Sequence, residues 1–163
     1  AILIVYRTFS TLAVIEENEI ANKDTKLYTL LASSNEKRCI AVRKSNMENG
    51  AEVIISPVYN IDDQKFYFEE VNGKYRLQAK HSGKYLTIDG EQKNGTIITQ
   101  SDKIDNEAQL FEVIDCGDGL VKLKTSKGFY VTPAGGSLNV VAKIVIWEDK
   151  ENFNQEFKLT SAN

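Results

Sequence analysis

The chain has 163 residues, 42% of them hydrophobic and 26% charged, with a formal net charge of -3 and a pI near 5.3. That length suits one domain with a single core, burying about 70% of the unfolded surface without help from a disulfide or a metal. The acidic balance argues against nucleic acid, which selects a basic face, and no run of 18 apolar residues is present to make a transmembrane helix.

The first segment is apolar. Ile2-Leu3-Ile4-Val5-Tyr6 and Leu12-Ala13-Val14-Ile15 suit strands. They lack the basic start and small-residue cleavage site of a signal peptide. Left bare, they would be aggregation-prone edges. Residues 1–25 therefore read as an N-terminal extension. It packs on the domain, or residues 1–15 pair with a second copy or a partner domain.

From Lys26 onward the chain reads as short strands between turns. Lys26-Leu27-Tyr28-Thr29-Leu30 alternates apolar and polar residues, Asn49-Gly50 marks a turn, Val53-Ile54-Ile55 follows, and Gln64-Lys65-Phe66 closes the unit. The second unit runs Lys74-Tyr75-Arg76-Leu77-Gln78, Tyr85-Leu86-Thr87-Ile88, the turn Asn94-Gly95, Thr96-Ile97-Ile98-Thr99 and Gln109-Leu110-Phe111. The third runs Leu120-Val121-Lys122-Leu123-Lys124, a loop with Gly135-Gly136 where the others have Asn-Gly, Lys143-Ile144-Val145-Ile146-Trp147 and Gln155-Glu156-Phe157. Asn-Gly pairs tolerate the positive φ of tight hairpins.

These units are copies. The Gln-x-Phe triplets recur at steps of 45 and 46 residues, Leu30, Leu77 and Leu123 at 47 and 46, and Cys39, Tyr85 and Phe129 at 46 and 44. A period in the 40s sets the architecture. The repeats span 26–70, 71–117 and 118–160, within one domain over 26–163. Four strands per unit give twelve, in an all-β barrel or sandwich.

Chemistry-bearing residues are sparse. Cys39, Cys116 and His81 are too few for a usual four-ligand zinc site, and no spacing places His81 beside either thiol. Nothing holds the paired acids Asp62-Asp63, Glu69-Glu70 and Glu148-Asp149 across a cleft, as glycoside hydrolysis needs. No phosphate loop or Ser-His-Asp pattern appears. The expectation is no enzyme, no metal and no cofactor. With neither a leader nor a disulfide framework legible, the cytoplasm and secretion without disulfides both stay open.

Ser82-Gly83-Lys84-Tyr85-Leu86-Thr87-Ile88-Asp89-Gly90, then Asn94-Gly95-Thr96-Ile97-Ile98, then Gln109-Leu110-Phe111, resembles one ricin B-type lectin repeat, and all three units are similar to it. The resemblance implies a β-trefoil: a six-stranded barrel capped by three hairpins. It puts Phe66, Phe111 and Phe157 in the core and gives Gln64, Gln109 and Gln155 to holding each repeat's loop. It also implies a carbohydrate-binding module for glycans or glycoproteins, usually non-catalytic.

In that family a functional repeat offers an Asp, a strand Gln, an aromatic platform and an Asn, because a flat ring covers sugar C–H groups while fixed polar atoms orient the hydroxyls. On that resemblance the Asp position falls on Ala41, Thr87 and Val131, and the strand Gln on Ile54, Ile98 and Val145. The platform falls on Ser56, Gln100 and Trp147, and the Asn on Asp63, Ala108 and Asn154. No unit is complete. The third keeps most, with Trp147, Asn154 and Gln155, and Glu148 or Asp149 in place of the missing carboxylate. In the second, Asp89 would act with Gln100 or Asn106. In the first, Tyr59 and Asn60 would stand in. The alternative is a trefoil that lost its sugar sites and binds protein, as toxin-associated and inhibitor-like trefoils do. Gly83-Lys84-Tyr85-Leu86 is similar to a fascin repeat.

Overall fold

In a computed structural model that describes residues 25–163, twelve strands form three four-stranded repeats. The strands expected at residues 2–6 and 12–15, and the packing expected of residues 1–15, lie outside the described residues. The first repeat holds β1 (Lys26–Ala32), β2 (Asn35–Val42), β3 (Val53–Pro57) and β4 (Phe66–Val71). The second holds β5 (Lys74–Ala79), β6 (Tyr85–Ile88), β7 (Ile98–Ser101) and β8 (Glu112–Asp115). The third holds β9 (Leu120–Lys124), β10 (Tyr130–Pro133), β11 (Ile144–Trp147) and β12 (Phe157–Ser161).

The outer strands of each repeat make a closed barrel. Antiparallel ladders join β1 to β12 and β4, β4 to β5, and β9 to β8 and β12. The ring closes between β5 and β8, where Tyr75 and Phe111 exchange backbone hydrogen bonds of 2.8 and 2.9 Å. The inner pairs β2–β3, β6–β7 and β10–β11 are hairpins. Each hairpin bridges to the next in a cycle, through Glu52 and Thr99, Ile97 and Val145, and Lys143 and Ile54. This is the β-trefoil.

Burial explains the period. Leu30, Leu77 and Leu123 are fully buried, and so are Phe66, Phe111 and Phe157. Each such side chain stabilises the fold by about 1.5–3 kcal/mol relative to exposure. The three Gln side chains lie just outside that core and hold the loop that enters it. Gln109 Nε2 donates to Thr87 Oγ1, Ser101 Oγ and the Asp102 carbonyl, and its Oε1 accepts from the Ile104 N–H at 2.7 Å. Gln64 and Gln155 make the same pattern, accepting from the Tyr59 and Lys150 N–H groups.

The strand pairing corrects the repeat register by one residue in several places. Cys39 faces Ser56, Tyr85 faces Ser101 and Tyr130 faces Trp147, so Tyr130 stands in the Cys39 column instead of Phe129. Ala41 faces Ile54, Thr87 faces Thr99 and Thr132 faces Val145. The third unit's counterpart of Ala41 is therefore Thr132, not Val131. The second unit's counterparts of Ile54 and Ser56 are Thr99 and Ser101, not Ile98 and Gln100. Ile98, Thr99 and Gln100 are all buried, so no alternation marks their phase, and a one-residue slip turns every side chain to the other face. The hairpin tips shift too. Gly50 donates to the Gln100 carbonyl and Gly95 to that of Ile146, and the third tip makes this bond from Val141 to Ile55. Val140-Val141 thus replaces Asn-Gly, and Val141 holds φ at 67°. Gly135-Gly136 belongs to the earlier turn, which matches 44–45 and 90–91.

Candidate functional site

Each repeat sets a turn after its second strand opposite the turn before its final Gln. The first turns are Arg43–Ser45, residues 89–91 and Ala134–Gly136, and they face Asp62–Gln64, Glu107–Gln109 and residues 151–154. The three clefts share a backbone plan and differ in filling.

In the first repeat the cleft is tied shut. Ser45 Oγ donates to Asp63 Oδ2 at 2.7 Å, and the other carboxylate oxygen is buried without a protein partner. Behind it burial, then the Asp63 charge, pushes the Cys39 thiol up to about 12, so this cysteine is inert.

In the third repeat the cleft is filled by Phe153. A Cβ on Gly136 would lie 2.9 Å from Phe153 Cα, so the two turns meet only because residue 136 is glycine. The Phe153 ring leans on Trp147 with centroids 5.8 Å apart at 46°, and Lys150 Nζ sits 4.7 Å from the Phe153 ring centre. Trp147 is half-buried, with its indole N–H enclosed and lacking a protein partner. Asn154 Nδ2 donates to the Gly136 carbonyl at 2.7 Å, and its Oδ1 accepts from Ser34 Oγ at 2.6 Å.

In the second repeat the cleft is open. Gly90 and Glu91 face Asn106, Glu107 and Ala108 across a cavity of about 450 Å³, with Gln92 and Lys127 at its edge. Glu107 stands where the third repeat has Phe153, and leaves the space free.

A larger pocket of about 600 Å³ lies on another side of the third repeat, between residues 149–156 and Ser33 and Lys122. Lys122 Nζ donates to Asp149 Oδ1 at 3.1 Å. Burial works to lower the Lys122 pKa, but the Asp149 carboxylate, together with Cys116 and Glu156, outweighs it and the net shift is upward. The pocket offers acceptors on Asp149 and Glu151 beside donors on Lys122, Lys150 and Asn152.

The sequence candidates are thus divided. Asp149, Asn154 and Gln155 line the 600 Å³ pocket, and Asn106 lines the 450 Å³ cavity. Trp147 lines neither pocket, and the exposed Glu148 gives its backbone N–H to Asn94 Oδ1 at 2.7 Å. Asp89 is an exposed turn residue beside the open cleft. Two candidates are corrected by their bonding. Gln100 is fully buried, donating to the Asn46 and Glu48 carbonyls and accepting from Ser82, and Gln155 is 4% exposed with its amide spent on Thr132, Glu148 and Lys150. Both amides are engaged in holding loops. Tyr59 and Asn60 lie on an exposed loop that Gln64 ties down. Lys122, Phe153, Glu91, Gln92 and Lys127 escaped the sequence reading, since each enters its site by packing and stands in no motif.

A family model described as "Ricin-type beta-trefoil lectin domain-like" matches residues 19–101 and 62–128. No curated protein sequence matches the chain. Among solved structures, the designed threefold-symmetric protein ThreeFoil is 25% identical with a TM-score of 0.78, covering 83% of this chain and 98% of its own. A Macrolepiota procera ricin B-like lectin, solved with lactose, is 15% identical with a TM-score of 0.70 over 84% of this chain and 96% of its own. An exo-β-1,3-galactanase from Clostridium thermocellum is 23% identical with a TM-score of 0.80, matching 85% of this chain but 30% of the enzyme.

Proposed function

The chain belongs to the ricin-type β-trefoil lectin domain-like family, and from that premise we propose that it is a non-catalytic module that binds glycans or glycoproteins through a shallow site in the third repeat. The carrying observation is the polar pocket of about 600 Å³ between residues 149–156, Ser33 and Lys122. Its acceptors and donors alternate over a short distance, as a sugar's hydroxyls require. Lys122 orients the Asp149 carboxylate as an acceptor. The Trp147 and Phe153 rings pack on one another beside this loop, outside the pocket itself. The lactose-bound M. procera lectin shares this fold, and the galactanase matches over only 30% of its length, so its enzymatic activity is not carried over.

A glycan array tests this. Wild type is compared with Asp149→Ala, Trp147→Ala and, in the open second cleft, Glu91→Ala, each checked for folding by circular dichroism. Asp149→Ala is expected to weaken binding at least tenfold, about 1.4 kcal/mol, and Glu91→Ala to leave it unchanged. The reverse result moves the site to the second repeat. Silence from wild type refutes the lectin reading.

One observation favours the second reading, a trefoil that binds protein. The positions that carry the family's sugar-binding Asp hold Ala41, Thr87 and Thr132, which are 3%, 6% and 0% exposed. A protein partner captured by wild type and by Asp149→Ala alike would support it.

A further inference from the structure

The three hairpin tips dock on equivalent places of the next repeat, and one joint differs in chemistry. At the first, Asn49 Oδ1 accepts from the Asp102 N–H at 2.9 Å, and at the second, Asn94 Oδ1 accepts from the Glu148 N–H at 2.7 Å. At the third, the equivalent pair is Val140 and Pro57. Pro57 has no N–H to give, so an Asn would have nothing to bond. The loop beyond follows suit. Lys103 and Asp149 become Val58, and Asn106 and Asn152 become Ile61. Val58, Tyr59, Ile61, Val140 and Val141 are 38%, 63%, 44%, 44% and 46% exposed. Both segments are tied to one hairpin: Val141 donates to the Ile55 carbonyl, Val58 to that of Lys37, and Arg38 Nε to that of Leu138. Val141 keeps this place although a β-branched residue at positive φ is strained. Tyr59 stands where the other joints have Ile104, 38% exposed, and Lys150, so the third joint gathers five exposed apolar residues where the others keep mainly polar ones, the mark of a surface meant to be covered.

We propose that this apolar joint is the docking surface for the chain's own N-terminal segment, with residues 2–6 and 12–15 as the cover. The apolar runs Ile2-Leu3-Ile4-Val5-Tyr6 and Leu12-Ala13-Val14-Ile15 are of matching chemistry, and residues 16–24, polar but for Ile20 and Ala21, separate them from β1. Those nine residues span up to about 30 Å. β1 enters with Lys26 opposite Phe68, and the seven residues from Phe68 back to Ile61 cover at most about 24 Å. The tether therefore reaches the joint, and the covering segment is permanently at high local concentration.

The test uses the full chain carrying Cys116→Ser and a nitroxide on Lys37→Cys, beside the joint, with amide signals of residues 2–15 read by NMR. The expected result is loss of their intensity, independent of protein concentration. Adding Val140→Asp with Tyr59→Asp, or in a separate sample Ile4→Asp, is expected to restore it. Undiminished signals would overturn the proposal. So would losses appearing only when spin-labelled and isotope-labelled chains are mixed, which would assign the joint to a second copy.

Discussion

Gly136 carries a demand that no neighbouring residue shares. Its φ is 71°, and a Cβ there would meet Phe153 Cα at 2.9 Å and the Asn152 carbonyl at 3.2 Å. Gly128 has φ of 89° with nothing within 4 Å. The left-handed backbone alone costs a non-glycine residue about 1–2 kcal/mol, while displacing packed backbone adds about 1–3 kcal/mol. Gly128→Ala is therefore expected to lose about 1–2 kcal/mol in urea unfolding, and Gly136→Ala about 2–5 kcal/mol. Equal losses would mean that Phe153 yields at no cost. The sequence marks Gly135-Gly136 as a turn but gives no hint of this approach, because Phe153 lies 17 positions further along the chain. Trp147 was legible as the sole tryptophan. Its partner Phe153 was not, since one aromatic on a loop carries no periodicity.

The hairpins are held to one another by more than their backbone bridges. Glu52, Ile97 and Lys143 are equivalent positions at the three bridges. Glu52 receives Arg43 at 2.9 Å and Lys143 at 3.3 Å, which binds the first hairpin to the third. Hydrogen bonds from Arg43 and Lys143 hold the Glu52 carboxyl below its ordinary range. A folded-state pKa below the unfolded one, ~4.3 for Glu, gives a contribution fully present above that value and lost as pH falls through the folded one. Glu52→Gln is thus expected to lower stability at neutral pH by no more than about 1 kcal/mol, as for solvent-screened pairs. It should also flatten the acid limb of a stability-against-pH curve. An unchanged acid limb would remove Glu52 from the joint. Element existence was legible here: twelve strands follow from turns and the period, and the six-stranded barrel from the ricin B-type resemblance. Register was not, wherever three successive residues such as Ile98, Thr99 and Gln100 are buried together. The joints were invisible too, because Asn49 and Asp102 are 53 positions apart.

At the scale of the molecule, closure decides how the repeats share stability. In an open array each repeat touches only its neighbours and unfolding can be piecewise. Here the barrel closes between β5 and β8, and the three hairpins bridge in a cycle. No repeat can leave without breaking two interfaces. The Phe66, Phe111 and Phe157 side chains meet in one core. Damage in the second repeat must therefore be felt in the third. Phe111→Ala leaves a cavity worth about 3–5 kcal/mol, which for a chain of this size lowers Tm by roughly 6–20 °C. Trp147, the only tryptophan, reports from the third repeat, beside Phe153. Its fluorescence and the far-ultraviolet circular dichroism of Phe111→Ala are expected to shift together by that amount, in one transition, as two-state unfolding requires. A fluorescence midpoint left at the wild-type temperature while dichroism moves would mean that the third repeat stands alone. The pseudo-threefold frame would then be three units in contact, and a site in the third repeat would survive the loss of the second.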